Sequence, residues 1–160
     1  MELQNFIQNN DYISEFKKLK LNFRKYSKLG LLILKTHRNN NYHYETYPWM
    51  KYCRGVVIDI INHKLVCIPP MKSEEKEDLN EIIEGYDSEL EYQPLVDGTM
   101  INMFYHNDEW FISTRSNIGA KNSWDGKTSF NKMFEEVVGK EFYSTLDKGC
   151  CYSFVLQHIK

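Results

Sequence analysis

Apolar and polar residues alternate along this chain in two distinct rhythms. Leu3, Phe6 and Ile7 share one helical face, and Asn9-Asn10-Asp11 then supplies turn and capping residues. Ile13, Phe16 and Leu19, followed by Leu21 or Phe23, continue as a second helical face, so the pattern predicts helix through residue 28, stopped by Gly30. Leu31 to Leu34 reads as a short buried strand, and Thr36 to Asn41 as a loop. Tyr42 to Tyr47 alternates and predicts a strand, broken at Pro48-Trp49-Met50. Val56 to Ile61 and Leu65 to Ile68 flank Asn62-His63-Lys64, which predicts a hairpin. Thr99 to Tyr105 and Trp110 to Thr114 flank the polar tetrad His106 to Glu109 and predict another. Phe130, Met133, Phe134, Val137 and Val138 return to helical spacing up to Gly139. Phe142, Tyr143 and Leu146 suggest a shorter helix, and Cys150 to His158 a last strand. The fold class expected is α+β, with antiparallel sheets and flanking helices in a single domain over residues 1–160.

Composition narrows the function classes. With 42% hydrophobic and 14% aromatic residues, the 160-residue chain can bury a core. Twenty Lys+Arg against 22 Asp+Glu give a formal charge of −2, so any case for nucleic acid must be local. The sharpest shift in composition is over residues 74–91, an acidic stretch with Leu79, Ile82 and Ile83 at helical spacing, expected as an amphipathic helix that nucleic acid avoids. Lys17, Lys18, Lys20, Arg24, Lys25 and Lys28 form either a solvated helix face or a phosphate-contacting patch with Phe23 and Tyr26 as stacking surfaces. Tyr42, Tyr44, Tyr47 and Trp49 are sheet packing or a base-stacking surface. Cys53, Cys67, Cys150 and Cys151 form no C-x-x-C pair and are expected as reduced, buried or half-buried thiols. The five histidines show no metal-ligand spacing. No run of about 18 apolar residues exists, and Met-Glu-Leu-Gln-Asn-Phe lacks the start of a signal peptide, so a cytoplasmic protein without a membrane span is expected. A chain ending on a strand is expected to be the first part of a longer fold, or to find sheet partners in another subunit.

Several short blocks share one order. Cys53-Arg54-Gly55-Val56-Val57-Ile58-Asp59 is followed by Ile68-Pro69-Pro70-Met71-Lys72, then Leu95-Val96-Asp97-Gly98-Thr99, then Phe111 to Ser116, then Tyr152 to His158. In this order they resemble the covalent nucleotidyltransferases. The best match is to ATP-dependent RNA ligases of bacteriophages and large DNA viruses, relatives of DNA ligases and mRNA capping enzymes, whose signature is K-x-D-G-(S/T). The resemblance implies an incomplete ligase adenylation domain, ATP and Mg²⁺ as cofactors, nucleotide and RNA as partners, and host cytoplasm as the location if the protein is viral. It implies a nucleotide site at Arg54, Lys72, Leu95, Asp97, Gly98, Thr99 and Arg115.

The departures from the family decide the chemistry. In these enzymes the signature lysine attacks the α-phosphate of ATP and carries AMP, because a lysine amine becomes a good nucleophile once its pKa is lowered. Leu95 occupies that position and cannot carry AMP. Val155 falls where the family holds the ribose with a glutamate, and the metal-binding and final lysine-rich strands would lie beyond residue 160. Lys72 or Lys121 as substitute nucleophile would be displaced by about 5 Å for each strand crossed. Misplacement of about 1 Å can cost roughly 100-fold in rate. The expectation is therefore a nucleotide- or RNA-end-binding module without a catalytic residue. The alternatives are an active RNA ligase using a non-standard lysine, and an interaction protein derived from a ligase that pairs through its sheet edges.

Overall fold

The computed structural model describes residues 2–9, 11–37, 44–73, 91, 93–139 and 141–157. Two short helices open the chain: α1 (Glu2–Asn9) and α2 (Tyr12–Lys18). Leu3 and Ile7 in α1, and Tyr12 and Phe16 in α2, lie four residues apart and are buried as pairs. Asp11 caps α2: its carboxylate accepts from the Ser14 hydroxyl at 2.6 Å and the Ser14 amide at 3.5 Å.

The helix does not continue to residue 28. Lys20 takes a left-handed conformation (φ 54°) and turns the chain into β1 (Asn22–Tyr26). The residues that fit a helical face, Leu21 and Phe23, fit a strand with period two equally well, and both pack into the first core. Pairing with the next strand decides the outcome. β1 runs antiparallel to β2 (Leu31–Lys35), which pairs with β3 (Arg54–Asp59), which pairs with β4 (Lys64–Cys67). Together they make a four-stranded sheet in the order β1-β2-β3-β4. Ser27–Leu29 and Pro48–Tyr52 are 3₁₀ turns. The strand expected over Tyr42 to Tyr47 is not formed at residues 44–46, which are a turn, while Tyr44 and Tyr47 pack against the first core. Tyr42 and His43 lie outside the described residues, as does the acidic helix expected over 74–91 except Glu91.

The second sheet has the order β6-β5-β7. β5 (Thr99–His106) and β6 (Glu109–Ser113) form the expected hairpin, closed by Asn107 and Asp108, both at positive φ (46° and 63°). Two consecutive left-handed residues match the right-handed twist of the flanking strands, and Asn and Asp accept that conformation most readily. β7 (Tyr152–Leu156) lies antiparallel on the other side of β5, pairing Leu156 with Thr99 and Tyr152 with Met103. Helix α3 (Phe130–Val138) is capped by Ser129, which accepts from the Lys132 amide, and a 3₁₀ turn follows at Glu141–Thr145.

Alternation along the strands divides the apolar residues into three layers. Leu32, Leu34, Val56 and Ile58 meet α1, α2 and Trp49. Leu31, Ile33, Val57 and Cys67 face the opposite way and meet Phe104 and Ile118 of the second half. Ile101, Met103 and Ile112 turn away from the first sheet and pack under α3. The result is a helix–sheet–sheet–helix arrangement of antiparallel α+β type.

Candidate functional site

Gly55 of β3 lies against the chain just beyond β6. It has φ 110°, and a Cβ there would stand 2.9 Å from Arg115 Cα and 3.2 Å from the carbonyl oxygens of Thr114 and Arg115. Only glycine tolerates both the conformation and the crowding. Arg115 crosses the same junction: its Nη2 donates to the Thr36 carbonyl at 3.0 Å, joining the end of β6 to the end of β2. Thr36 is held in turn by its amide, which donates to the Cys53 carbonyl at 2.8 Å. Arg54 is half-buried and pairs with Lys35 at a bulge between Leu34 and Lys35. Arg54, Gly55, Lys35 and Arg115, far apart in sequence, thus gather at one end of the paired sheets.

An open cleft of about 430 Å³ lies beside this junction. Asn22 and Arg24 of β1, Lys35 of β2, His37, Asn117 and Asn122 line it, and among the described residues none of its lining is acidic. Burial, then the guanidinium groups of Arg115 and Arg24, push the Lys35 ammonium below its ordinary pKa. Like charges held together in a partly dry cleft favour an anion, because each gains from one negative group what it loses to its neighbours. The basic patch read from residues 17–28 is therefore divided: Arg24 faces this cleft from a strand, while Lys18 pairs with Glu15 at 2.7 Å on α2.

The block from Leu95 to Thr99 has a different setting. Antiparallel pairing of Asn102 with Ser113 puts the start of β5 and the end of β6 at the same end of the second sheet. Thr99 begins β5 there. A Cβ on Gly98 would stand 2.5 Å from the Leu156 carbonyl oxygen and 2.8 Å from Val155 Cγ1, so this glycine permits close packing on β7. The Asp97 carbonyl accepts from Gln157 Nε2 at 2.8 Å, and Asp97 itself is exposed. Val155, 47% exposed, is Gly98's neighbour. Leu95 is 99% exposed and plugs no cavity. Lys72 is placed by other contacts: its amide donates to the Lys51 carbonyl at 2.9 Å, and its ammonium lies 5.6 Å from the Tyr44 ring centroid.

Sequence reasoning missed two polar groups. Asn102 and Ser113 are fully buried and paired across β5 and β6 on the face toward the first sheet. Asn102 Oδ1 accepts from Ser153 Oγ at 2.8 Å, but Asn102 Nδ2 and Ser113 Oγ have no partner among the described residues. A buried polar atom without a partner costs roughly 1–3 kcal/mol. The available signal was an amide at an inward position of an otherwise apolar strand. Lys35 was missed because a lysine ending a strand reads as solvated until its neighbours are known. Among the described residues no three His, Cys, Asp or Glu side chains gather as metal ligands, and no helix is long and apolar enough to cross a membrane.

The cysteines also differ from the expectation. Cys53 and Cys67 are buried, but Cys150 and Cys151 are exposed, because β7 is a sheet edge and nothing described covers its approach.

Comparison with known proteins gives one informative similarity. The chain is 34% identical over 86 residues to a protein of Invertebrate iridescent virus 3 named as a homologue of immediate-early protein ICP-46. The matched part is 49% of this chain and 18% of that protein, so the chain spans less than a fifth of its viral relative. No protein-family description and no solved structure matches the chain.

Proposed function

We propose that this chain is an RNA-ligase-like module that holds a nucleotide or a 5′-phosphorylated RNA end in the cleft beside the junction of its two sheets without forming a lysyl-adenylate. The observation that carries the reading is the cationic cleft, where Arg24 and Lys35 sit beside the Gly55–Arg115 junction and no acidic residue lines it among those described. Its volume of about 430 Å³ suits a nucleotide-sized ligand. Arginine and lysine suit phosphate, the first as a hydrogen-bonding fork and the second as a point charge. The ordered blocks around Arg54-Gly55 and Asp97-Gly98 add the family resemblance. The described residues fit the phosphates of ATP better than a Mg²⁺ site of their own. Covalent chemistry is opposed by Leu95, which has no nucleophile, and by Lys72, which is held beside Tyr44 and Lys51.

Two measurements test this. ATP, GTP or a 5′-phosphorylated RNA should raise the melting temperature of the chain. Incubation with α-labelled ATP should leave no covalent AMP on it. No thermal shift with any of the three ligands would end the binding reading, and a labelled chain would replace it with the ligase.

Exposed apolar groups beside the β7 edge favour a second reading. Leu95, Val96 and Val155 are 99%, 48% and 47% exposed. An open edge with apolar neighbours is a pairing surface. A strictly monomeric mass in solution would remove that support.

A further inference from the structure

Two of the four cysteines meet across the sheets. Cys67 ends β4, at the edge of the first sheet, and Cys151 immediately precedes β7, at the edge of the second. Cys67 is 1% exposed, whereas Cys151 is open to solvent. The two thiols are near enough for each to shift the other's ionisation. Cys151 Sγ also lies 3.6 Å from the carbonyl oxygen of Ile68, the residue after Cys67, to which its thiol form donates. Cys53 is elsewhere, buried in the first core, where its thiol donates to the Trp49 carbonyl at 3.9 Å. The nucleophile in cysteine chemistry is the thiolate, and it must be reachable. Donation from the Cys67 thiol favours the thiolate on Cys151 and brings that group down to about 6. The same bond, followed by burial, pushes Cys67 up. One sulfur is thus exposed and the more readily ionised of the two, and its partner is sheltered beside it.

We propose that Cys151 and Cys67 form a peroxide-reactive pair, with Cys151 as the attacking sulfur, Cys67 as the resolving thiol, and a disulfide between β4 and the entry to β7 as the product. In the first step the Cys151 thiolate attacks one oxygen of hydrogen peroxide. The S–O bond forms, the O–O bond breaks and hydroxide leaves, giving a sulfenic acid. In the second step Cys67 loses its proton and attacks the Cys151 sulfur. The S–S bond forms, the S–O bond breaks and water leaves. The two sulfurs supply two electrons, which reduce one peroxide to two waters. Cys150, although exposed, is not part of the pair.

Non-reducing peptide mapping after brief treatment of the full chain with hydrogen peroxide tests the assignment. The expected product is a Cys67–Cys151 cross-linked peptide that dithiothreitol releases, with free thiols per chain falling from four to two. In Cys67→Ser the reaction should stop at Cys151 sulfenic acid, captured by dimedone. Cys151→Ser should abolish both products, and Cys150→Ser should leave the cross-link intact. Since Cys67 is buried, circular dichroism of Cys67→Ser checks its fold; Cys151→Ser alters an exposed position and tests the pair independently. A Cys150–Cys151 link, a link between chains, or no dimedone adduct at Cys151 in folded Cys67→Ser would overturn the proposal.

Discussion

A methyl group on Gly55 would have to stand 2.9 Å from Arg115 Cα, on a backbone held at φ 110°. Gly55→Ala therefore has no relaxed conformation unless the sheets separate, and strain of this kind costs about 1–3 kcal/mol. Urea unfolding should show a loss of at least that order. Asp59 poses the opposite case, a residue stabilised by what surrounds it. Its Oδ1 accepts from the amides of Ile61 (2.8 Å) and Asn62 (3.0 Å), and its Oδ2 from the Asn62 side chain (2.7 Å). Burial alone would raise its pKa, but these bonds outweigh it and hold the carboxyl below the ordinary carboxylate range. A depressed folded pKa contributes stability above the unfolded value, and that stability is lost as pH falls through the folded one. Asp59→Asn should flatten the acid limb of the stability–pH profile. An unchanged limb would show that other carboxylates set it.

Elements were legible where period, or run length between turns, left one choice. The β5–β6 hairpin and α3 each carry a clear rhythm with a turn or cap suited to it, while β2 and the β3–β4 hairpin are short apolar runs of strand length set off by turns. β1 left two choices: Leu21 and Phe23 satisfy both periods, and only pairing with β2 distinguishes them. The clustered positions were half legible. Arg54-Gly55 and Asp97-Gly98 stand out as dipeptides, but the reason for each glycine is a contact made by residues 60 positions away in Gly55's case and 58 in Gly98's. Reading residues 22–26 as a strand changes what Arg24 does, since it shares the cleft with Lys35 instead of a helix surface with Lys20. The double charge reversal Arg24→Glu, Lys35→Glu should abolish the thermal shift caused by a 5′-phosphorylated RNA, while Lys18→Glu on α2 leaves it in place. Equal losses in the two variants would indicate attraction to overall charge and not to the cleft. Raising the salt concentration should weaken the interaction in wild type, as it does for phosphate contacts generally.

At the scale of the whole molecule, three apolar layers hold two sheets and their helices together, and the middle layer joins the halves. Phe104 is central to it: fully buried, stacked on Phe111 at 5.6 Å and packed with Leu31, Ile33 and Val57. Phe104→Ala should cost about 3–5 kcal/mol in chemical unfolding. Because the layer spans both sheets, the loss should register equally by tryptophan fluorescence and by circular dichroism. Separate transitions would mean that the halves unfold independently.

β2 supplies two of these layers at once, with Leu31 and Ile33 on one side and Leu32 and Leu34 on the other. An insertion or deletion of one residue within this five-residue strand would exchange the two sets, sending each leucine and isoleucine into the compartment shaped for its neighbour. Every position of the strand beyond the lesion would then be wrong together, although its hydrophobicity was unchanged. Natural length variation in this protein should therefore fall in the connections and spare residues 31–35.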